Sequence, residues 1–158
     1  MTASLLHPPL APLSAQGRFW ALVPCAGMGL RAVPPAATPA AASADPALPK
    51  QYHLVAGHPM VMHTLAAFAG VSRLLGTLVA VAPGDHLLDA YAHPAFFTVE
   101  CGGPTRADTV LGGLRALEER GAQPDDWVLV HDAARCLVTS AQIDALLDTC
   151  QHAGVGGS

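Results

Sequence analysis

A chain of 158 residues, 51% of them apolar, is long enough to bury one core and falls in the size range of one domain. Eight Lys+Arg against twelve Asp+Glu give a formal charge of −4, which excludes a global positive field for a nucleic-acid backbone; any phosphate must be met locally. No stretch reaches the roughly 18 apolar residues of a membrane span, and Met1–Gly17 has no Lys or Arg for a signal-peptide n-region, so a cytoplasmic setting without membrane partners is expected.

In chain order, residues 1–17 read as a disordered leader, followed by one α/β domain over 18–153 and a tail at 154–158. Within the domain the strand Phe19–Val23 comes first. Then Ala32–Pro49, with five prolines among alanines, predicts a long mobile loop, because proline at that density blocks helix and strand alike. A helix over Val61–Phe68, a strand over Leu75–Ala82, a short helix and a strand over Phe96–Glu100 follow. The last elements are a helix over Thr109–Arg120, a strand over Trp127–His131 and a helix over Ile143–Cys150. Continuous rather than alternating apolar strands, as in Trp127-Val128-Leu129-Val130, argue for a parallel sheet covered on both faces: a doubly wound, Rossmann-like α/β fold. Ligands of such sheets sit beyond the carboxyl ends of the strands.

The unusual residues lie at those ends. After the first strand comes Pro24-Cys25-Ala26-Gly27-Met28-Gly29-Leu30-Arg31, a composition suited to cradling phosphate: glycines let backbone N–H groups approach an anion, and Arg31 adds a fork of donors. Gly27, Gly29 and Ala32 also match the dinucleotide fingerprint G-x-G-x-x-A. That fingerprint must open a helix, though, and Val33-Pro34-Pro35 stops one at once. A tight turn without ligand is the plainer alternative. Lys50, in Pro49-Lys50-Gln51-Tyr52, is the only lysine of the chain, either a solvated loop residue or a compact charge placed for a purpose.

The third long strand ends in Glu100-Cys101-Gly102-Gly103, and Pro104-Thr105-Arg106-Ala107-Asp108-Thr109 opens the next helix, with proline in its first turn and Asp108 in its second. The paired glycines suggest a flat group, such as a base, against the backbone. The fourth long strand ends in His131-Asp132-Ala133-Ala134-Arg135. Asp132 reads equally as a carboxylate for Mg²⁺ or as the N-cap of the next helix. The four cysteines lack CxxC spacing and the eight histidines lack HxxxH or HExxH spacing, so buried thiols and structural histidines are the expectation.

These residues resemble the methylerythritol phosphate cytidylyltransferases, within the nucleotidyltransferases of glycosyltransferase-A-like fold. That family's pattern runs P-A-A-G-x-G-x-R, P-K-Q-Y, G-G-x-x-R-x-D-S-V and V-H-D-A-A-R; the matching runs here are Pro24–Arg31, Pro49–Tyr52, Gly102–Val110 and Val130–Arg135. The resemblance implies CMP transfer from CTP to a sugar-alcohol phosphate, with release of pyrophosphate, in isoprenoid precursor synthesis. It implies catalytic Arg31 and Lys50, and nucleotide contacts from Pro24, Cys25, Ala26, Gly27, Met28, Gly29, Gly102, Gly103, Arg106 and Thr109. Asp132 would hold Mg²⁺, and Arg135 would touch substrate or brace the loop.

The chain departs from the pattern at Cys25, Pro104, Cys136 and in the length of the 32–49 loop. In the family a further stretch follows the point where this chain stops, carrying a second metal carboxylate, the groups that hold methylerythritol phosphate and an arm shared between two subunits. Full-length members are expected to be homodimers, and this shorter chain is expected to bind CTP weakly and turn over little. Ribitol 5-phosphate, a sugar 1-phosphate or a molybdenum cofactor are the competing substrates. A non-catalytic fragment with an unfinished sheet, acting as an interaction module, is the competing class.

Overall fold

In a computed structural model of the protein, residues 17–28 and 48–153 are described. Gly29, Arg31, the expected leader up to residue 16, the loop up to residue 47 and the tail from residue 154 lie outside them.

The first strand, β1 (Phe19–Pro24), is apolar along its whole length because it is buried on both faces and paired on both edges. A 3₁₀ turn over Lys50–Tyr52 and a hairpin of β2 (Leu54–Val55) and β3 (His58–Pro59) lead into α1 (Met60–Ala69). Then come β4 (Leu74–Ala80), a 3₁₀ turn at Asp89–Tyr91, β5 (Phe96–Val99), α2 (Arg106–Glu119), β6 (Trp127–Val130) and α3 (Ser140–Ala153). The main sheet has the order β5-β4-β1-β6, with every pairing parallel.

Side chains alternate across β1 and so divide the core. Phe19 and Ala21 pack with Phe68 of α1 and with Ile143 and Leu147 of α3, while Val23 packs with Val61 and Leu65 of α1. Trp20 and Leu22 turn the other way, toward Ala116 and Leu117 of α2. The sheet is therefore covered on both faces, as a doubly wound fold requires. Burying a leucine such as Leu22, Leu78 or Leu117 contributes about 2 kcal/mol each.

Close packing of α2 needs its glycines. A Cβ on Gly113 would come within 2.4 Å of Leu22 Cδ1, and one on Gly112 within 2.3 Å of the Cys101 carbonyl oxygen. Two glycines inside a helix cost about 1 kcal/mol each against alanine, and here they let the helix lie directly on the sheet.

The described elements follow the expected order, with three corrections. The β2–β3 hairpin was not foreseen: its strands have two residues each, too short for any apolar period, and its turn places Ala56 (φ 48°) and Gly57 (φ 82°) in the left-handed region. The short helix expected before β5 is a single 3₁₀ turn. Pro104 lies outside α2 rather than in its first turn. Thr105 is the N-cap: its hydroxyl accepts the Asp108 N–H (3.1 Å) and the Asp108 carboxylate accepts the Thr105 N–H (3.2 Å), a capping box that fixes the start and puts Asp108 in the first turn.

Candidate functional site

Because all four strands are parallel, the segments after β1, β4, β5 and β6 share one edge of the sheet. After β1 the chain is first fastened, the Cys25 N–H donating to the Ala80 carbonyl at 2.8 Å, and then emerges: Cys25 is buried, Ala26 half-buried and Gly27 and Met28 exposed. A Cβ on Gly27 would meet nothing within 4 Å, so this glycine leaves open space beside the backbone. The segment borders an open cleft of about 520 Å³ whose other walls are Pro49, Gln51 and the Ala82–Leu87 segment after β4.

Gln51 and Tyr52, both buried, hold this wall together. The Gln51 side-chain amide donates to the Cys25 carbonyl (3.0 Å) and to the Gly27 carbonyl (3.1 Å). Tyr52 donates its hydroxyl to Asp85 Oδ2 at 2.5 Å and accepts from the Cys25 thiol at 3.6 Å. Burial pushes the Cys25 thiol up to about 12 despite the Tyr52 hydrogen bond, so it stays a neutral thiol. Burial likewise raises the Tyr52 phenol, with Cys25 and Asp85 adding to the effect, which keeps it a donor. Lys50, the residue before Gln51, is exposed and is thereby carried to the same edge as the glycine segment.

Gly102 and Gly103 are explained by the protein's own packing. A Cβ on Gly102 would fall 2.3 Å from Ala26 Cβ, and one on Gly103 2.4 Å from Asp108 Cβ. The first contact joins the end of β5 to the glycine segment of β1. Thr109 is buried, its hydroxyl accepting the Gly103 N–H at 3.1 Å and donating to the Thr105 carbonyl at 3.1 Å, so it braces this junction.

Asp132 stands at the end of β6 with its side chain 36% exposed. Arg106, the first residue of α2, donates to its Oδ1 through Nε and Nη2 (both 2.8 Å), and Arg135 Nε lies 3.0 Å from its Oδ2. The N-cap alternative fails: α3 begins eight residues later, where Thr139 and Gln142 cap it reciprocally. The turn carrying Asp132 is pinned by the His131 N–H on the Leu22 carbonyl (3.0 Å) and by Thr64 of α1 on the Ala133 carbonyl (2.9 Å). Among the described residues no group of three or more Cys, His, Asp or Glu side chains gathers into a metal cage, and all four cysteines are free.

The expected site residues thus fall into two neighbouring sets. Pro24–Met28, Lys50, Gly102, Gly103 and Thr109 form one, and Arg106, Asp132 and Arg135 the other, linked through the Gly103–Arg106 segment. Gly29 and Arg31 are outside the described residues. Sequence reasoning missed Gln51, Tyr52 and Asp85. Gln51 and Tyr52 stood inside a quoted motif, and Asp85 follows Pro83-Gly84 after a buried strand, but their links span 24 to 33 residues and have no local signature.

A parallel sheet of this order, with a glycine segment, a lysine and a carboxylate at one edge, has the nucleotidyltransferase-type Rossmann-like architecture. A solved 4-diphosphocytidyl-2C-methyl-D-erythritol synthase matches 87% of the chain and 56% of its own at TM-score 0.69 and 30% identity. The Francisella tularensis 2-C-methyl-D-erythritol 4-phosphate cytidylyltransferase matches 85% and 52% at 0.61 and 28%. CMP:2-keto-3-deoxy-manno-octonic acid synthetase, at 13% identity and TM-score 0.61, shares the fold alone.

The sequence profile of IspD, 2-C-methyl-D-erythritol 4-phosphate cytidylyltransferase, covers residues 19–157, and the chain belongs to that family. It is 51% identical over 153 residues to the bifunctional enzyme IspD/IspF of Albidiferax ferrireducens (95% of this chain, 34% of that one). It is 44% identical over 142 residues to the 2-C-methyl-D-erythritol 4-phosphate cytidylyltransferase of Paraburkholderia phymatum (89% and 55%). The chain spans about half or less of the length of these curated relatives. No helix among the described residues is long and apolar enough to cross a membrane.

Proposed function

We propose that this chain forms the CTP-binding part of a cytidylyltransferase that transfers CMP from CTP to 2-C-methyl-D-erythritol 4-phosphate. The observation that carries the reading is the exposed glycine segment at the end of the central strand, with Lys50 tethered to the same edge by Gln51. The acceptor's phosphate oxygen attacks the α-phosphorus of CTP, a new P–O bond forms as the α–β phosphoanhydride breaks, and pyrophosphate leaves. The acceptor oxygen is already an anion, so no general base is required; the chain's work is to position the reactants and screen charge.

In this reading backbone N–H groups of residues 25–29 hold the triphosphate, Lys50 and Arg31 face charge at the α-phosphate, and Gly102 and Gly103 border the base. Asp132 is a lone, partly exposed carboxylate at the ligand edge, which suits a Mg²⁺ that keeps water and phosphate oxygens as its other ligands. Mg²⁺ would supply charge neutralisation on the phosphates. To hold it, Asp132 would exchange Arg106 and Arg135 for the cation, and both guanidinium groups would then be free to meet phosphate oxygens. The names of the relatives favour methylerythritol phosphate over the ribitol alternative. A cytoplasmic location fits a CTP-dependent reaction, and homodimer formation belongs to the full-length reading.

Calorimetry of the 158-residue chain with CTP and Mg²⁺, against ATP and Mg²⁺, tests this. Heat with CTP and little with ATP is expected; no heat with either nucleotide overturns the proposal.

A further inference from the structure

Peptide planarity turns one pair of hydrogen bonds into a statement about anion binding. A trans peptide directs its C=O and N–H to opposite sides, and no cis peptide occurs among the described residues. The Gln51 amide draws in the carbonyls of Cys25 and Gly27, at 3.0 and 3.1 Å. The N–H groups on the other side of those same peptides, Ala26 N–H and Met28 N–H, must therefore point away from Gln51. Neither donates to any described residue, and they lie where the backbone reaches solvent, Met28 being 72% exposed. Without the amide, two carbonyl dipoles would be free to rotate outward and present negative ends to an approaching phosphate.

We propose that Gln51 is a positioning residue that sets the polarity of the glycine segment, holding its carbonyls inward so that alternate N–H groups form an outward anion-binding face. The inference rests on the nucleotide reading above and names the side chain that makes that segment competent. Gln51 is itself fixed: it is 7% exposed, and the next residue, Tyr52, is bonded to Asp85 at 2.5 Å. The segment thus enters binding already oriented, which removes ordering from the cost of association.

The probe is inorganic triphosphate with Mg²⁺, titrated into the 158-residue chain while calorimetry reports affinity and ¹H–¹⁵N spectra report the Ala26 and Met28 amides. In the unsubstituted chain both amides should shift on titration. Gln51→Met keeps length and bulk but removes the donors and should weaken binding roughly tenfold, as loss of two backbone-orienting hydrogen bonds would. Gln51→Glu, which sets a carboxylate against two carbonyls, should weaken it further, and Gln51→Asn, with the amide one carbon short, should fall between the original and Gln51→Met. Melting temperature separates a bracing role from a positioning one. Variants that melt lower yet bind within twofold of the original overturn the inference and leave the nucleotide reading intact. An unsubstituted chain whose Ala26 and Met28 amides ignore triphosphate overturns both.

Discussion

β6 carries an aspartate at each end, and each is held by arginine, yet the two sit in different surroundings. Asp126, just before the strand, has a side chain only 5% exposed and receives Arg18 Nε and Nη2 (3.0 and 2.8 Å), Trp20 Nε1 (3.0 Å) and the Gln123 N–H (2.8 Å). Asp132, just after it, is 36% exposed and, among the described residues, held only by two arginines that are themselves 60% and 77% exposed. A buried carboxylate held by four hydrogen bonds has no reason to exchange partners. An exposed one bound by exposed charges can do so at little cost, since surface pairs contribute about 0–1 kcal/mol. The edge of the sheet decides which aspartate is locked into the fold and which stays exposed.

That contrast can be broken by substitution. The largest effect is expected at the carboxyl edge of the sheet: on the proposed reading, Lys50→Ala in the longer enzyme should lower turnover in a pyrophosphate-release assay by about 100-fold or more, with a far smaller change in CTP affinity, because its charge would act on the transition state. Normal turnover would remove Lys50 from the mechanism. Asp126→Ala should destabilise the fold by about 3 kcal/mol, seen in urea unfolding, by leaving Trp20 without its acceptor and Arg18 with only the Gly121 carbonyl. Asp132→Asn should change stability by less than about 1 kcal/mol while removing most of the Mg²⁺ dependence of CTP binding. A marked loss of stability there would erase the distinction between the two ends.

Acid offers a finer test. Burial opposes ionisation of Asp126, but the Arg18, Gln123 and Trp20 hydrogen bonds outweigh it and hold the carboxyl at about 2, below its ordinary 3.8. A lowered value means stability present above the unfolded pKa and lost as pH falls through the folded one. The Asp126 contribution should therefore fade between pH 3.8 and about 2, and unfolding curves of Asp126→Asn should lack that component. The smallest effect is expected away from β6, where Ala56→Asn should stabilise the β2–β3 turn by about 0.5–1 kcal/mol, asparagine tolerating the left-handed φ of 48° better than alanine.

The sequence announced the four long strands and three helices because each is a run of apolar residues at a recognisable period, ended by glycine, proline or a cap. The candidate site was legible for a related reason: Gly27, Gly102, Gly103 and Asp132 are unusual residues that follow buried strands, and the fold sets them along one edge of the sheet. What stayed hidden depended on distant partners. The steric need for Gly102 comes from Ala26, 76 positions earlier, whose Cβ lies 2.3 Å from where a Gly102 side chain would start. Gln51 and Asp85 are ordinary polar residues until folding sets one against Cys25 and the other against Tyr52. Asp126, one residue before a strand, carried no signal that Arg18, 108 positions earlier, would meet it.

The bare backbone at Gly112 and Gly113 also governs chemistry it never touches. With Gly113 set against the Leu22 side chain and Gly112 against the Cys101 carbonyl, α2 lies close over the strands, and its first residue, Arg106, reaches Asp132. One methyl group under the helix would act as a shim beneath a beam, tilting its far end and loosening the guanidinium's hold on a carboxylate two helical turns away.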